Sequence, residues 1–137
     1  MGIGVTTANS ILKLYLNGTG IPNIADNTAT SPLTNVYVSL HTADPTASGN
    51  QTSNEATYAG YVRQAVARTT GGWTVTGNSV SPVSNIAFLN DSGSYPYAAI
   101  GYAASGAGEI IASGSVFPPC GGAVVCTLTT SSTFTLT

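Results

Sequence analysis

Charge is what this chain lacks most: of 137 residues, three are Lys or Arg and five are Asp or Glu. These are Lys13, Arg63, Arg68, Asp26, Asp44, Glu55, Asp91 and Glu109, where an ordinary soluble chain is about a quarter charged. So few ionisable groups leave a free monomer little electrostatic protection against association. The composition therefore predicts a chain that lives among neighbours in an assembly. It also starves most active sites, because general acids, bases and metal ligands come from these residue types. A structural protein is expected, not an enzyme, and no cofactor. Three scattered cations cannot neutralise a run of phosphates, so no nucleic-acid partner is expected. No apolar run approaches the roughly 20 residues of a membrane helix, so no membrane partner is expected either. Met1-Gly2-Ile3-Gly4-Val5 carries no basic region before an apolar stretch, which predicts no signal peptide and synthesis in a cytosol. Met1-Gly2 with Thr6 fits a loose myristoylation pattern, one that Gly-, Thr- and Ser-rich sequence reaches by chance.

Lys and Glu, the residues favoured on helix surfaces, are nearly absent, while Val, Ile, Thr, Tyr and Gly abound. That points to mostly β structure. A hydrophobic content of 42% with a net charge of −2 argues against disorder. The length suits one domain, residues 1–137, with no linker or internal repeat to divide it.

One helix is predicted over about 7–17. Ala8, Ile11, Leu12, Tyr15 and Leu16 make one apolar stripe; Thr6 or Thr7 caps the start and Gly18 ends it. Residues 18–34 read as a long loop, a candidate assembly contact. From 35 onward the period is two. Val36, Val38 and Leu40 alternate with Tyr37, Ser39 and His41, the pattern of a half-buried strand. Further strands are expected over 61–68, 73–76, at Ile86 and Phe88, over 97–103 and 109–116, at Val124, Cys126 and Leu128, and at Phe134 and Leu136. Turns fall at Gly71-Gly72, Gly77-Asn78 and Ser105–Gly108, and Pro118-Pro119 interrupts. About eight short strands predict a mainly β fold, an antiparallel β-sandwich of jelly-roll type with one short N-terminal amphipathic helix.

His41 is the sole histidine. With Asp44 nearby and many serines it invites a Ser-His-Asp reading. No Gly-x-Ser-x-Gly elbow exists, and an imidazole bonding the strand-end turn is the simpler account. His41, Cys120 and Cys126 supply three metal ligands only if folding gathers them, and Cys-x5-Cys is not a finger spacing, so no metal is expected. No placed carboxylate pair suggests a glycosidase. Gly106-Ala107-Gly108 lacks the lysine of a phosphate loop and reads as a turn. Cys120 and Cys126 allow one disulfide or two buried thiols.

The candidate interface residues are Arg63, Arg68, Tyr58, Tyr61, Tyr95 and Tyr97. Arg63 and Arg68, five apart on one predicted strand, point to opposite faces. Each suits a bridge to Glu55, Glu109 or a partner carboxylate, and a bidentate interprotein pair is expected for one of them. The tyrosines, with Trp73 and Tyr102, offer rigid contact area or stacking surface for sugars; core packing accounts for at least half of them.

Two strings carry a family resemblance: Asn35-Val-Tyr-Val-Ser-Leu-His-Thr-Ala-Asp-Pro45, and Asn54-Glu55 followed by Tyr58-Ala-Gly-Tyr-Val-Arg-Gln-Ala-Val-Ala-Arg68. With the helix before them, and with Ala99-Ile-Gly-Tyr102 and Ala107-Gly-Glu-Ile-Ile111 after, the chain resembles a family of small tailed-phage virion proteins that carry the name tail fibre protein. The resemblance implies a capsid cement, or decoration, protein: a jelly-roll-like fold on the outside of an icosahedral shell, with the major capsid protein as partner and self-association as a trimer or dimer. Its place would be the capsid surface of a virion assembled in the bacterial host cytoplasm. The family's name implies instead a tail or fibre-tip protein with a receptor- or glycan-binding role.

Overall fold

The computed structural model describes residues 5–21, 32–46, 48–89, 92–121 and 126–136, with the side chains of 5 and 117–121 outside that set. The four residues before Val5, most of the 18–34 loop, Asp26, Asp91 and Val124 therefore lie outside the described residues.

Helix α1 spans Val5–Asn17, beginning one or two residues before the expected cap. Ala8, Leu12 and Leu16, spaced by four, are buried. Tyr15 leaves the expected stripe and is 38% exposed, stacked on Tyr102 with ring centroids 6.1 Å apart. Gly18 takes φ 65° and ends the helix as the sequence predicts. No basic residue of the helix faces its last turn. The missing positive charge arrives from Arg68, whose Nε donates to the Tyr15 carbonyl at 2.6 Å and whose Nη2 donates to the Leu14 carbonyl. Carbonyls with no intrahelical partner are thereby satisfied by a cation at the negative end of the helix dipole.

Among the described residues nine strands follow: β1 (Asn35–His41), β2 (Gln64–Ala67), β3 (Trp73–Thr76), β4 (Ser79–Pro82), β5 (Ile86–Ala87), β6 (Ser94–Gly101), β7 (Ile110–Gly121), β8 (Thr127–Leu128) and β9 (Phe134–Thr135). All pairings are antiparallel, in a four-stranded sheet of order β2-β1-β6-β7, a three-stranded sheet β3-β4-β9 and a two-stranded sheet β5-β8. The fold is mainly β with one short N-terminal helix, and its sheets share a core in the manner of a sandwich. Val36, Val38 and Leu40 of β1 and Ala98 and Ile100 of β6 join Leu12 and Leu16 of α1, Trp73 and Val80 of the second sheet, Leu128 and Phe134 in one cluster. Within it, α1 packs against β3 and β4.

Four details depart from the sequence reading. The expected strand over 61–68 shrinks to β2, so Arg63 and Arg68 flank it and do not lie within it. β1 is not half-buried: Ser39 and His41 are as inaccessible as Val38 and Leu40, because a second layer of chain covers its other face. β4 was not foreseen; its Ser79 and Ser81 alternate with buried Val80 and Pro82, and the two-residue turn before it has φ 61° at Gly77, as a primed hairpin turn requires. β7 runs through Pro118-Pro119, where an interruption was expected. It is tolerated because β7 is an edge strand and its register with β6 jumps there, from Tyr97↔Ser115 to Tyr95↔Cys120.

Candidate functional site

Behind β1 residues 48–63 fold back across the sheet and are held there by a cluster of buried polar groups. His41 and Ser39 project on the same side of β1. The Ser53 carbonyl lies 2.8 Å from His41 Nδ1. A carbonyl only accepts, so Nδ1 carries the proton, and Nε2 accepts from Ser39 Oγ at 2.9 Å. A hydroxyl, an imidazole and an acceptor thus line up as in a nucleophile–base pair, but Ser39 and His41 are both 0% exposed. Asp44 is not the orienting group; its Oδ1 accepts from the Thr46 amide at 2.9 Å and shapes the turn after β1.

Burial holds the His41 pKa below its ordinary 6.5, against the opposing pull of the Ser53 carbonyl and of Glu55. The sign of the resulting pH dependence follows. Below about pH 6.5 the unfolded chain takes up a proton that the folded ring refuses, so His41 lowers stability as pH falls from 6.5 towards its folded pKa and contributes no slope well above 6.5. The contribution is at most about 1.4 kcal/mol per pH unit. Denaturation midpoints at about pH 7.5 and about pH 5.5 should differ less in His41→Gln than in the parent chain.

Beside the imidazole lies an ion pair. Arg63 Nε and Nη2 donate to Glu55 Oε1 and Oε2 at 2.6 and 2.7 Å, a bidentate fork. Its Nη1 and Nη2 also donate to the carbonyls of Ala103 and Gly106 at 2.9 and 2.8 Å. The Arg63 side chain is 3% exposed and that of Glu55 13%. Hydrogen bonding by Glu55 raises the Arg63 pKa above its ordinary value. Tyr61 completes the group: its hydroxyl accepts from the Leu40 amide at 3.0 Å and donates to Glu55 Oε1 at 3.1 Å, and burial pushes its pKa up.

Gln51, which sequence reasoning passed over, is the other peg. It is 0% exposed. Its Oε1 accepts from the Ala103 amide at 2.9 Å, and its own backbone amide donates to Gly108 at 2.8 Å. Gly101 and Gly108 leave room for it, since a Cβ at either would overlap the Gln51 amide group. Gly101→Ala should therefore cost about 1–3 kcal/mol by overpacking. The loss should shrink in a Gln51→Ala background, a coupling that a double-mutant cycle on denaturation midpoints measures.

The candidate interface residues resolve as follows. Arg63 cannot make the expected interprotein pair, because its donors are spent on Glu55 and on the 103–106 turn; the Glu55 bridge, the other option weighed, is the one formed. Arg68 is engaged with the end of α1 and with Leu33. Tyr58, Tyr61 and Tyr95 pack together, with centroids of Tyr58–Tyr61 at 5.2 Å and Tyr58–Tyr95 at 5.3 Å, and Tyr61 stacks on Phe88. Tyr95 is in the core. These three are cement within the chain. Tyr97, half-buried, sits on β6 between His41 of β1 and Ser115 of β7. Trp73 is 1% exposed and also internal. Cys126 is buried and disulfide-bonded; Cys120, the one other cysteine, has its backbone in β7. Among the described residues, no group of three His, Cys, Asp or Glu gathers as a metal site, and no helix is long and apolar enough to cross a membrane.

The strings that carried the family resemblance thus turn out to hold the pegs of the fold: His41, Asp44, Glu55, Tyr61, Arg63 and Arg68. What they define is a β scaffold whose few charges lock its own loops in place. The family model Gp80, described as Podophage GP4 fiber I protein gp80, matches residues 3–116. The chain belongs to that family, and with it to the virion-associated fibre proteins of phages. No curated protein matches it.

Proposed function

We propose that this chain is a structural subunit of a phage fibre, built into the virion by contact with other virion proteins and with further copies of itself, and that it acts by binding and not by catalysis. The observation that carries this reading is the match to a podophage fibre protein over residues 3–116. The scaffold supports it. Ser39 and His41 are sealed from solvent and Glu55 is committed to Arg63, so the groups best suited to chemistry are used to hold the fold. The near-neutral surface suits contacts made by hydrogen bonds and apolar area, which salt screens little.

The fibre reading displaces capsid cement, the first expectation from sequence, because the matched family is named for a fibre. The contact with the major capsid protein belonged to that first expectation. The test is a gold-labelled antibody against the chain on intact virions. Label at the tail or on projecting fibres is the expected result. Label spread over the icosahedral shell overturns it in favour of decoration. A glycan array on the purified chain then tests whether the fibre role extends to receptor sugars.

A further inference from the structure

We propose that the outer edge of β7, unpaired among the described residues, is a docking surface for a second copy of this chain, which adds its own β7 antiparallel across a twofold axis at Gly114. Among the described residues β7, with 12 residues, is the longest strand, and it ends the four-stranded sheet. An edge strand presents unpaired amides and carbonyls, and soluble monomers blunt such edges with charge, above all lysine. Between Ile110 and Gly121 there is no charged residue. Ser113 and Ser115 are exposed, and a Cβ on Gly114 would meet no atom within 4 Å. The register with β6 shifts between Gly101↔Ile110 and Ile100↔Ala112, and again beyond Tyr97↔Ser115. The regular stretch is thus short, and pairing confined to it has one register and cannot propagate into an open ribbon.

The occupant follows from the sheet's two edges. The other edge, β2, is four residues long and borders a groove it shares with residues 84–87. β7 is therefore the edge that each copy has to offer. Two identical edges meet antiparallel about a twofold, a contact that closes at two copies. Centred on Gly114, the pairing sets Ala112 opposite Val116 and Ser113 opposite Ser115 of the second copy. No charge opposes a like charge. At the start of β7 an apolar groove of about 190 Å³, lined by Ile11, Tyr15, Tyr102, Ile110 and Phe134 among others, adds apolar surface beside the edge. The inference rests on the fibre reading only in that fibres are built from several copies; it is tested on the isolated chain, so its failure leaves the virion location standing.

Sedimentation velocity on the purified full chain decides it. The parent chain should sediment at twice the monomer mass. Ser113→Lys with Ser115→Lys places like charges opposite each other in both cross-strand pairs and should return the chain to monomer mass. Ser113→Lys with Ser115→Glu places opposite charges in the same two pairs and should restore the dimer. Both positions are exposed, and circular dichroism checks that each variant is folded. A parent chain that stays monomeric overturns the proposal. So does a like-charge variant that keeps the parent's mass, or an opposite-charge variant that does not regain it.

Discussion

Glu55→Ala should unfold this protein more readily than any other single change at its surface or in its loops, with a loss of about 3–5 kcal/mol. The cost does not come from the attraction of the pair, which desolvation largely offsets. It comes from what is left behind: a guanidinium 3% exposed, with Nε and one Nη2 bond to a carboxylate that no longer exists. The Tyr61 hydroxyl loses its acceptor at the same stroke. Arg63→Ala should cost a similar amount, since it strands Glu55 and frees the carbonyls of Ala103 and Gly106. The double replacement should cost clearly less than the sum, because each single change already removes the shared interaction. Thermal unfolding of the three variants reads this directly; additive losses would mean that the pair is not the unit described.

Trp73→Ala is the second large effect, a loss of about 3–5 kcal/mol from the cavity opened where β3 meets α1. Trp73 is 1% exposed and is the largest side chain buried so completely. Trp73→Phe should cost far less, about 1 kcal/mol or under, for a reason specific to this site. The indole Nε1 is buried without a hydrogen-bond partner. Removing an unsatisfied buried donor offsets part of the area lost. Chemical denaturation followed by circular dichroism measures both variants. The parent can be followed by fluorescence as well, since its single tryptophan reports on the core alone.

What the sequence made legible was local. The period-four spacing of Ala8, Leu12 and Leu16 and the glycine after them define α1, and the alternation from Val36 defines β1, because both patterns depend only on neighbours along the chain. Tyr15 escaped the stripe because its partner, Tyr102, is 87 positions away and no periodicity records it. β4 escaped because Val80-Ser81-Pro82 is short and holds a proline, and only pairing with β3 and β9 makes it a strand. The passage of β7 through two prolines depends on its place at a sheet edge, a property of the whole sheet. The site was legible by halves. Scarcity of charge put Glu55 beside Glu109 and a partner carboxylate as options for either arginine, but did not point to the burial that ties Glu55 and Arg63 to the 103–106 turn. Gln51 gave no signal, because a glutamine in a polar stretch looks like solvent-facing loop until the sheet closes over it. The tyrosines illustrate the limit: composition gives an aromatic surplus, and only the fold says that Tyr58, Tyr61 and Tyr95 face one another.

The internal commitment of the two arginines has a consequence for proteolysis. Trypsin cuts after lysine and arginine, and this chain offers it only Lys13, Arg63 and Arg68. Lys13 lies within α1, Arg63 is clamped by four hydrogen bonds, and Arg68 is fastened to the end of the helix. A protease needs several residues of extended, unfastened backbone to reach a bond. The folded chain should therefore persist in a tryptic digest that shreds most proteins, and a virion carrying it could pass through protease-rich surroundings with this component whole.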